Sequence, residues 1–293
     1  MSGRFIVHSV LAVLALSCSA ATVAPTVAAA REYRLTLGKD SRLFLPATVN
    51  GTPVVALLDS AAETTLVDRA FAARLKLGAG TAVTGQGSGQ STFEAAVVEG
   101  VTLGAVGLEL KNQTIAVVDL SDVGARLVGH PLEVILGREI FDAARLRIDV
   151  ERGTIEVLGD TSAPGGVRLE LKSEHGVETL PVRVEDGETV SSTFDLGNGS
   201  NVLLGSAFAT RAHFLTDGRP VVSETGGGLG GAASRQTLTL RALEVAGQRF
   251  TDVRAAVDPQ PSASDLNIGV SILRRFVIVT DFGQHLLWLE PRR

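Results

Sequence analysis

The 293-residue chain holds one cysteine, one tryptophan, one tyrosine and one methionine. Its single cysteine, Cys18, sits in the N-terminal apolar stretch, so the rest of the chain has no disulfide framework and no thiol nucleophile. That excludes cysteine-protease and dithiol redox chemistry. Histidine is sparse too: His8, His130, His175, His213 and His285 are scattered without metal-ligand spacing, so neither a bound metal nor a cofactor is expected. There is no excess of positive charge. A formal net charge of −5 gives no footing for nucleic acid or anionic lipid as a partner. Beyond residue 30 no apolar run is long enough to span a bilayer, so no membrane span is expected there. Aromatic residues make up only 4%, whereas glycine numbers 32, the balance of a chain with many tight turns between short strands.

The N-terminus reads as a targeting segment rather than as part of the fold. Arg4 precedes an apolar run from Phe5 to Leu16 interrupted by His8 and Ser9, and small residues follow through Ala28-Ala29-Ala30. This is the pattern of a secretory signal peptide over residues 1–30, cleaved near Ala30, and it implies an exported protein, periplasmic or secreted. Two alternatives stay open. One is an uncleaved anchor, for which the run is short. The other is lipidation at Cys18, although Ala15 stands where a bacterial lipobox carries Leu.

The remaining chain carries one unit written twice. The run Val54-Val55-Ala56-Leu57-Leu58-Asp59-Ser60-Ala61-Ala62 is matched 136 residues later by Val190-Ser191-Ser192-Thr193-Phe194-Asp195-Leu196-Gly197-Asn198. The run Ile135-Leu136-Gly137-Arg138-Glu139-Ile140-Phe141 is matched 132 residues later by Asn267-Ile268-Gly269-Val270-Ser271-Ile272-Leu273. Each half ends in a hairpin pattern, Arg147–Val150 with Thr154–Leu158 and Val277–Asp281 with Leu286–Leu289. Between each Asp and its later Gly lies a glycine-rich stretch: Gly85, Gly87 and Gly89 in the first half, Gly226, Gly228 and Gly230 in the second.

Most other segments are short alternating or apolar runs, at Leu35–Val49, Ala95–Val101, Thr114–Val118, Val182–Val184, Gln236–Leu240 and Val253–Val257. Helical periodicity is brief, over Val67–Leu77 and just after each later Gly. The stretch Gly159–Gly166, with Pro164-Gly165-Gly166, is the natural linker. The expectation is an all-β protein of two lobes, residues 31–160 and 167–293, joined by 161–166.

The duplicated element resembles the retropepsin-like aspartic proteases, above all bacterial members with two such lobes in one chain. The resemblance runs over about residues 32–291 and rests on Leu57-Leu58-Asp59-Ser60 with Ile135-Leu136-Gly137, and on Phe194-Asp195-Leu196-Gly197 with Ile268-Gly269. It implies two acid-protease β-barrel lobes with a cleft between them and Asp59 and Asp195 as a catalytic dyad. Two neighbouring carboxylates cannot both ionise cheaply, so they share a proton and one pair of side chains supplies both general acid and general base. The resemblance also gives Ser60, Ala61 and Gly197 the support of the dyad loops, and makes the six glycines flap candidates. This sequence departs from the family pattern in Ala61, where Gly is usual, and in Leu196, where a hydroxyl is usual.

Two functions follow. One is an aspartic endopeptidase acting on a peptide or protein substrate, a monomer whose lobes replace the subunits of a dimeric retropepsin. The other is a catalytically impaired bilobal protein that binds peptides, the reading that Ala61 and Leu196 point to. A third arrangement, with the lobes facing apart and each site built from two copies, also stays open.

Overall fold

The sequence pattern becomes structure through alternation. Strand Leu43–Val49 turns Leu43, Leu45, Ala47 and Val49 inward, and Thr52–Leu58 does the same with Val54, Ala56 and Leu58. A period of two lays one apolar face of the hairpin on the core. Asn50-Gly51, both at positive φ, make the two-residue turn between them. The computed structural model describes residues 31–38, 41–159, 163–174, 176–200, 202–260 and 263–292. The signal-peptide reading of residues 1–30, Cys18 included, lies outside them. None of the described helices is long and apolar enough to cross a membrane.

In the first lobe the hairpin joins Val134–Leu136, Leu66–Asp68, Leu108–Val118 and Thr92–Ala105, and the last returns to pair Ala105 with Ala47. The result is a closed six-stranded barrel. In the second lobe Val177–Val184, Thr189–Phe194, Leu266–Ile268, Val202–Gly205, Gln248–Asp258 and Ala233–Val245 follow the same order and close through Val184 opposite Leu243. Closure leaves these strands without a free edge. Both lobes also thread a short strand in parallel beside the one that leads into the aspartate: Leu57 faces Ile135, and Thr193 faces Asn267.

A third sheet ties the lobes together. Glu32–Arg34, Thr154–Val157 and Leu146–Asp149 come from the first half, and Phe276–Asp281, Leu286–Pro291 and Val167–Glu170 from the second. They meet in the middle, where Leu146, Arg147 and Ile148 pair antiparallel with Thr280, Val279 and Ile278. Both terminal hairpins of the sequence repeat are therefore strands of one six-stranded sheet. Trp288 is buried in it, beneath the Arg145 guanidinium, which also binds the Asp281 carboxylate at 2.9 Å.

Two local expectations are corrected. The run Leu35–Val49 is not one strand: Thr36–Leu37 and Leu43–Val49 flank a turn in which Ser41 has positive φ and the Gly38 N–H binds the Arg42 carbonyl. The helical period over Val67–Leu77 gives way at its start, because Leu66–Asp68 is drawn into parallel pairing with Ala116–Val118. The helix is Arg69–Arg74, and Asp68 caps it by accepting the N–H groups of Ala70 at 2.9 Å and Phe71 at 3.2 Å.

Phe282, in the turn after Phe276–Asp281, stacks on Phe141 of the first lobe at 5.1 Å and meets the edge of Phe194 at 6.2 Å. Phe194 immediately precedes Asp195, so this buried cluster couples the lobe junction to the site. Phe282→Ala is expected to lower the unfolding free energy by about 3–5 kcal/mol, the range for a buried Phe truncation, measured by urea denaturation.

Candidate active site

Each aspartate stands one residue beyond a strand and is tied to the parallel neighbour. The Asp59 N–H donates to the Leu136 carbonyl at 3.0 Å, and the Asp195 N–H to the Ile268 carbonyl at 3.1 Å. The chain then turns back on the carboxylate. Asp59 Oδ1 accepts the Ala61 N–H at 2.9 Å, and Asp195 Oδ1 accepts those of Gly197 at 2.8 Å and Asn198 at 2.9 Å. These are ordinary turn bonds of an Asp. What sets the pair apart is that the two turns lie against each other.

Ser60 carries the contact. Buried at the junction, its hydroxyl donates to the Phe194 carbonyl at 2.8 Å and accepts the Leu196 N–H at 2.9 Å. It thereby grips the residues on either side of Asp195. Leu196 has no hydroxyl to return the grip, and its side chain is buried in the core instead. Gly197 comes so close to the Asp59 carboxylate that a Cβ there would overlap it. Glycine at this position therefore answers a demand for space. Ala61 is not among the described residues with positive φ, so its Cβ carries no backbone strain. The Ser60 bonds bring both aspartate turns together within one chain.

The two loops are braced differently. In the first lobe the Glu139 carboxylate accepts Thr64 Oγ1 at 2.8 Å, the Thr65 N–H at 2.7 Å and Thr65 Oγ1 at 2.8 Å, and Thr65 Oγ1 in turn accepts the Gly137 N–H at 3.0 Å. In the second lobe amides do this work. Asn198 Nδ2 donates to Asn267 Oδ1 at 2.9 Å, and Asn267 Nδ2 donates to Asp195 Oδ2 at 2.7 Å. Sequence reasoning assigned no role to Glu139, Asn198 or Asn267. The available signal was a polar Asn267 in a repeat position that Ile135 fills in the first half.

Both aspartates are half-buried, and their environments raise both pKa values. Asp59 is pushed up to about 7, first by desolvation and then by the Asp195 charge, against the Ala61 and Ala62 N–H groups and the field of Arg42. Asp195 is also raised, by desolvation, but the Asn267 amide, the Asn198 and Gly197 N–H groups and Arg42 all oppose the rise. Burial beside a second carboxylate favours one shared proton over two ionised groups.

The glycine-rich stretches are hairpin tips. Thr81–Gln86 pairs with Thr92–Ala105, and Val222–Gly226 with Ala233–Val245, so Gly85 and Gly226 lie at the strand ends next to the turns while Gly87, Gly89, Gly228 and Gly230 lie in the tips. The tips meet across the lobe boundary. The Gly89 N–H donates to the Leu229 carbonyl at 2.8 Å and the Ser91 N–H to that of Gly230 at 2.9 Å. Arg235 from the second lobe binds the Ser88 carbonyl at 2.8 Å, and Arg126 from the first binds the Gly228 carbonyl at 2.9 Å. Leu229 packs on the first-lobe cluster of Phe44, Leu57, Val118, Leu132 and Ile135. Gly230, at φ 90°, has the backbone of Ser91 where a Cβ would stand, so only glycine fits.

Residues 45–140 match the family model described as Aspartyl protease. Among curated proteins none matches the chain. The matched span begins in the first barrel hairpin, takes in Asp59, Ser60 and Gly137, and ends in the short helix that follows.

Two measurements check the site. Ser60→Ala leaves the Phe194 carbonyl and the Leu196 N–H without their partner in a buried junction. It is expected to cost about 2–6 kcal/mol of stability, at roughly 1–3 per orphaned group, read by thermal and urea unfolding. The second follows from the sign of the Asp59 shift. Folded Asp59 binds its proton up to about pH 7, whereas its unfolded value is 3.8. The stability it contributes is therefore complete below pH 3.8 and is lost as pH rises towards 7. Asp59→Asn is expected to flatten the stability profile across that window and to be more stable than wild type at its upper end.

Proposed function

We propose that the protein is an aspartic endopeptidase whose dyad is Asp59 and Asp195, a reading that the Aspartyl protease match over residues 45–140 supports. The observation that carries this reading is the Ser60 grip, which sets two aspartate turns against each other at the junction of two like lobes. One aspartate per lobe lets a single chain supply the whole pair, so the working form is a monomer with pseudo-dimeric lobes. Ala61 and Leu196, the departures that pointed to a non-catalytic binder, are both compatible with the pairing. Ala61 adopts an ordinary backbone, and Leu196 contributes its N–H.

In the reaction the ionised carboxylate takes a proton from water as the water oxygen bonds to the peptide carbonyl carbon. The protonated carboxyl gives its proton to the carbonyl oxygen. The tetrahedral diol then collapses: the carbon–nitrogen bond breaks, the nitrogen receives the proton taken from water, and a diol hydroxyl returns its proton to the other carboxylate. No covalent intermediate forms, and the dyad ends as it began. The substrate is an extended peptide held under the two glycine-rich tips. The targeting pattern of residues 1–30 supports action outside the cytoplasm, in the periplasm or beyond.

Purified protein assayed on a diverse peptide library is expected to cleave, with activity falling as pH rises through about 7, where the dyad loses its shared proton. Asp59→Asn and Asp195→Asn are each expected to lower kcat/KM by at least about 10²–10⁴-fold, the contribution of a positioned acid or base, and a statine-type inhibitor to block the wild type. Unchanged cleavage in either variant, or no cleavage by the wild type at any pH from 3 to 8, roughly the range over which such carboxyls titrate, would refute the reading.

A further inference from the structure

The dyad is built from a sequence repeat, yet its two halves offer their carboxylates different partners. Asp195 accepts two N–H bonds on Oδ1, and its Oδ2 accepts a third bond from Asn267 at 2.7 Å. The first-lobe counterpart of Asn267 is Ile135, which faces Leu57 in the parallel pair as Asn267 faces Thr193. An aliphatic side chain has no such donor, so Asp59 lacks the equivalent of the amide bond.

The direction of the amide bonds is fixed from one end. The Ser200 backbone N–H, which can only donate, binds Asn198 at 3.0 Å, and the Ser200 hydroxyl binds the same atom at 2.9 Å. That atom must be Asn198 Oδ1, which leaves Asn198 Nδ2 facing Asn267 at 2.9 Å. The atom it meets must accept, so it is Asn267 Oδ1, and Asn267 Nδ2 is turned to Asp195. An amide that can only donate to a carboxyl oxygen favours that carboxyl as the anion. Asn198 is buried and Asn267 half-buried, so water does not readily substitute in the chain. The groups whose charge acts on the pair are the two aspartates themselves and Arg42, whose field lowers both.

We propose that Asn267 is a positioning residue that keeps Asp195 the ionised member of the dyad and leaves the shared proton on Asp59. This rests on the catalytic reading only for its consequence, which is that Asp195 activates the water and Asp59 protonates the substrate carbonyl. The relay from Ser200 through Asn198 and Asn267 then assigns base and acid to lobes that the repeat would otherwise make interchangeable.

The test follows each carboxyl directly. The protein is labelled with carbon-13 at the aspartate carboxyl, and the Asp59 and Asp195 signals, assigned from their Asn variants, are titrated by NMR. In wild type the lower step is expected on Asp195 and the upper on Asp59. Asn267→Leu is expected to move the Asp195 step upward by roughly one to two pH units, the equivalent of one hydrogen bond to a charged group, so that the upper step is no longer confined to Asp59. Asn198→Ala, one link back, is expected to shift it the same way by less, and keeps the test decisive if the first variant does not fold. If wild type cleaves peptides, the acid limb of kcat/KM moves up with Asp195 in both variants while KM holds. Titrations unchanged in the variants, or an upper step carried by Asp195 in wild type, would overturn the proposal. Titrations that shift as stated in a protein that cleaves nothing would uphold it and refute the peptidase reading instead.

Discussion

Two hydrogen bonds made by one hydroxyl organise this molecule. A serine can donate once and accept at the same oxygen, and Ser60 does both across the lobe boundary, on the carbonyl before Asp195 and the amide after it. The opposing loop is held at both shoulders of its aspartate, so Asp195 cannot move relative to Asp59 without breaking a buried bond. The surroundings are consistent with that demand. Gly197 leaves space for the Asp59 carboxylate, and Phe282 wedges Phe194 from behind. The six-stranded sheet, pairing Ile148 with Ile278 at its centre, fixes the distance between barrels. A junction held by one hydroxyl instead of two reciprocal ones relies more heavily on that sheet.

Much of this was legible in the sequence, because duplication is visible wherever it is tied to backbone topology. The strand before each Asp, the later apolar-Gly segment and the terminal hairpin recur since each occupies an equivalent place in a barrel or in the shared sheet. Ser60 was legible for the same reason, as the residue after an aspartate in a known pattern. What could not be read were partnerships between residues far apart in the chain. Asn267 lies 72 residues from Asp195, and nothing in its neighbours says where its amide points. Glu139 looked like a helix residue and proves to be the acceptor that gathers Thr64 and Thr65. The helical period at Val67 misled because sheet pairing outweighed it, a common outcome for short segments whose neighbours supply a strand edge.

Repeats of this kind impose an approximate symmetry that chemistry then has to break. A shared proton needs one donor and one acceptor, and two identical environments would leave the choice to fluctuation. Here the first lobe braces its loop with a carboxylate set back from the site, whereas the second brings amide donors up to the aspartate itself. The fold can stay duplicated while a few polar side chains, packed where the repeat tolerates change, make the halves unequal.

The meeting of the glycine-rich tips has a thermodynamic side. Gly89 and Ser91 use on Leu229 and Gly230 the backbone donors that an extended peptide would otherwise seek, and Arg126 and Arg235 each bind a carbonyl of the opposite tip. For the extended peptide proposed as substrate, the molecule would then be its own competitor. Only the fraction with parted tips would be open to it, and the apparent affinity would be the intrinsic one scaled by that fraction. Selectivity would then depend on more than the fit of side chains in the cleft: a segment too folded or too short to replace the contacts between the tips would be excluded before it reached an aspartate.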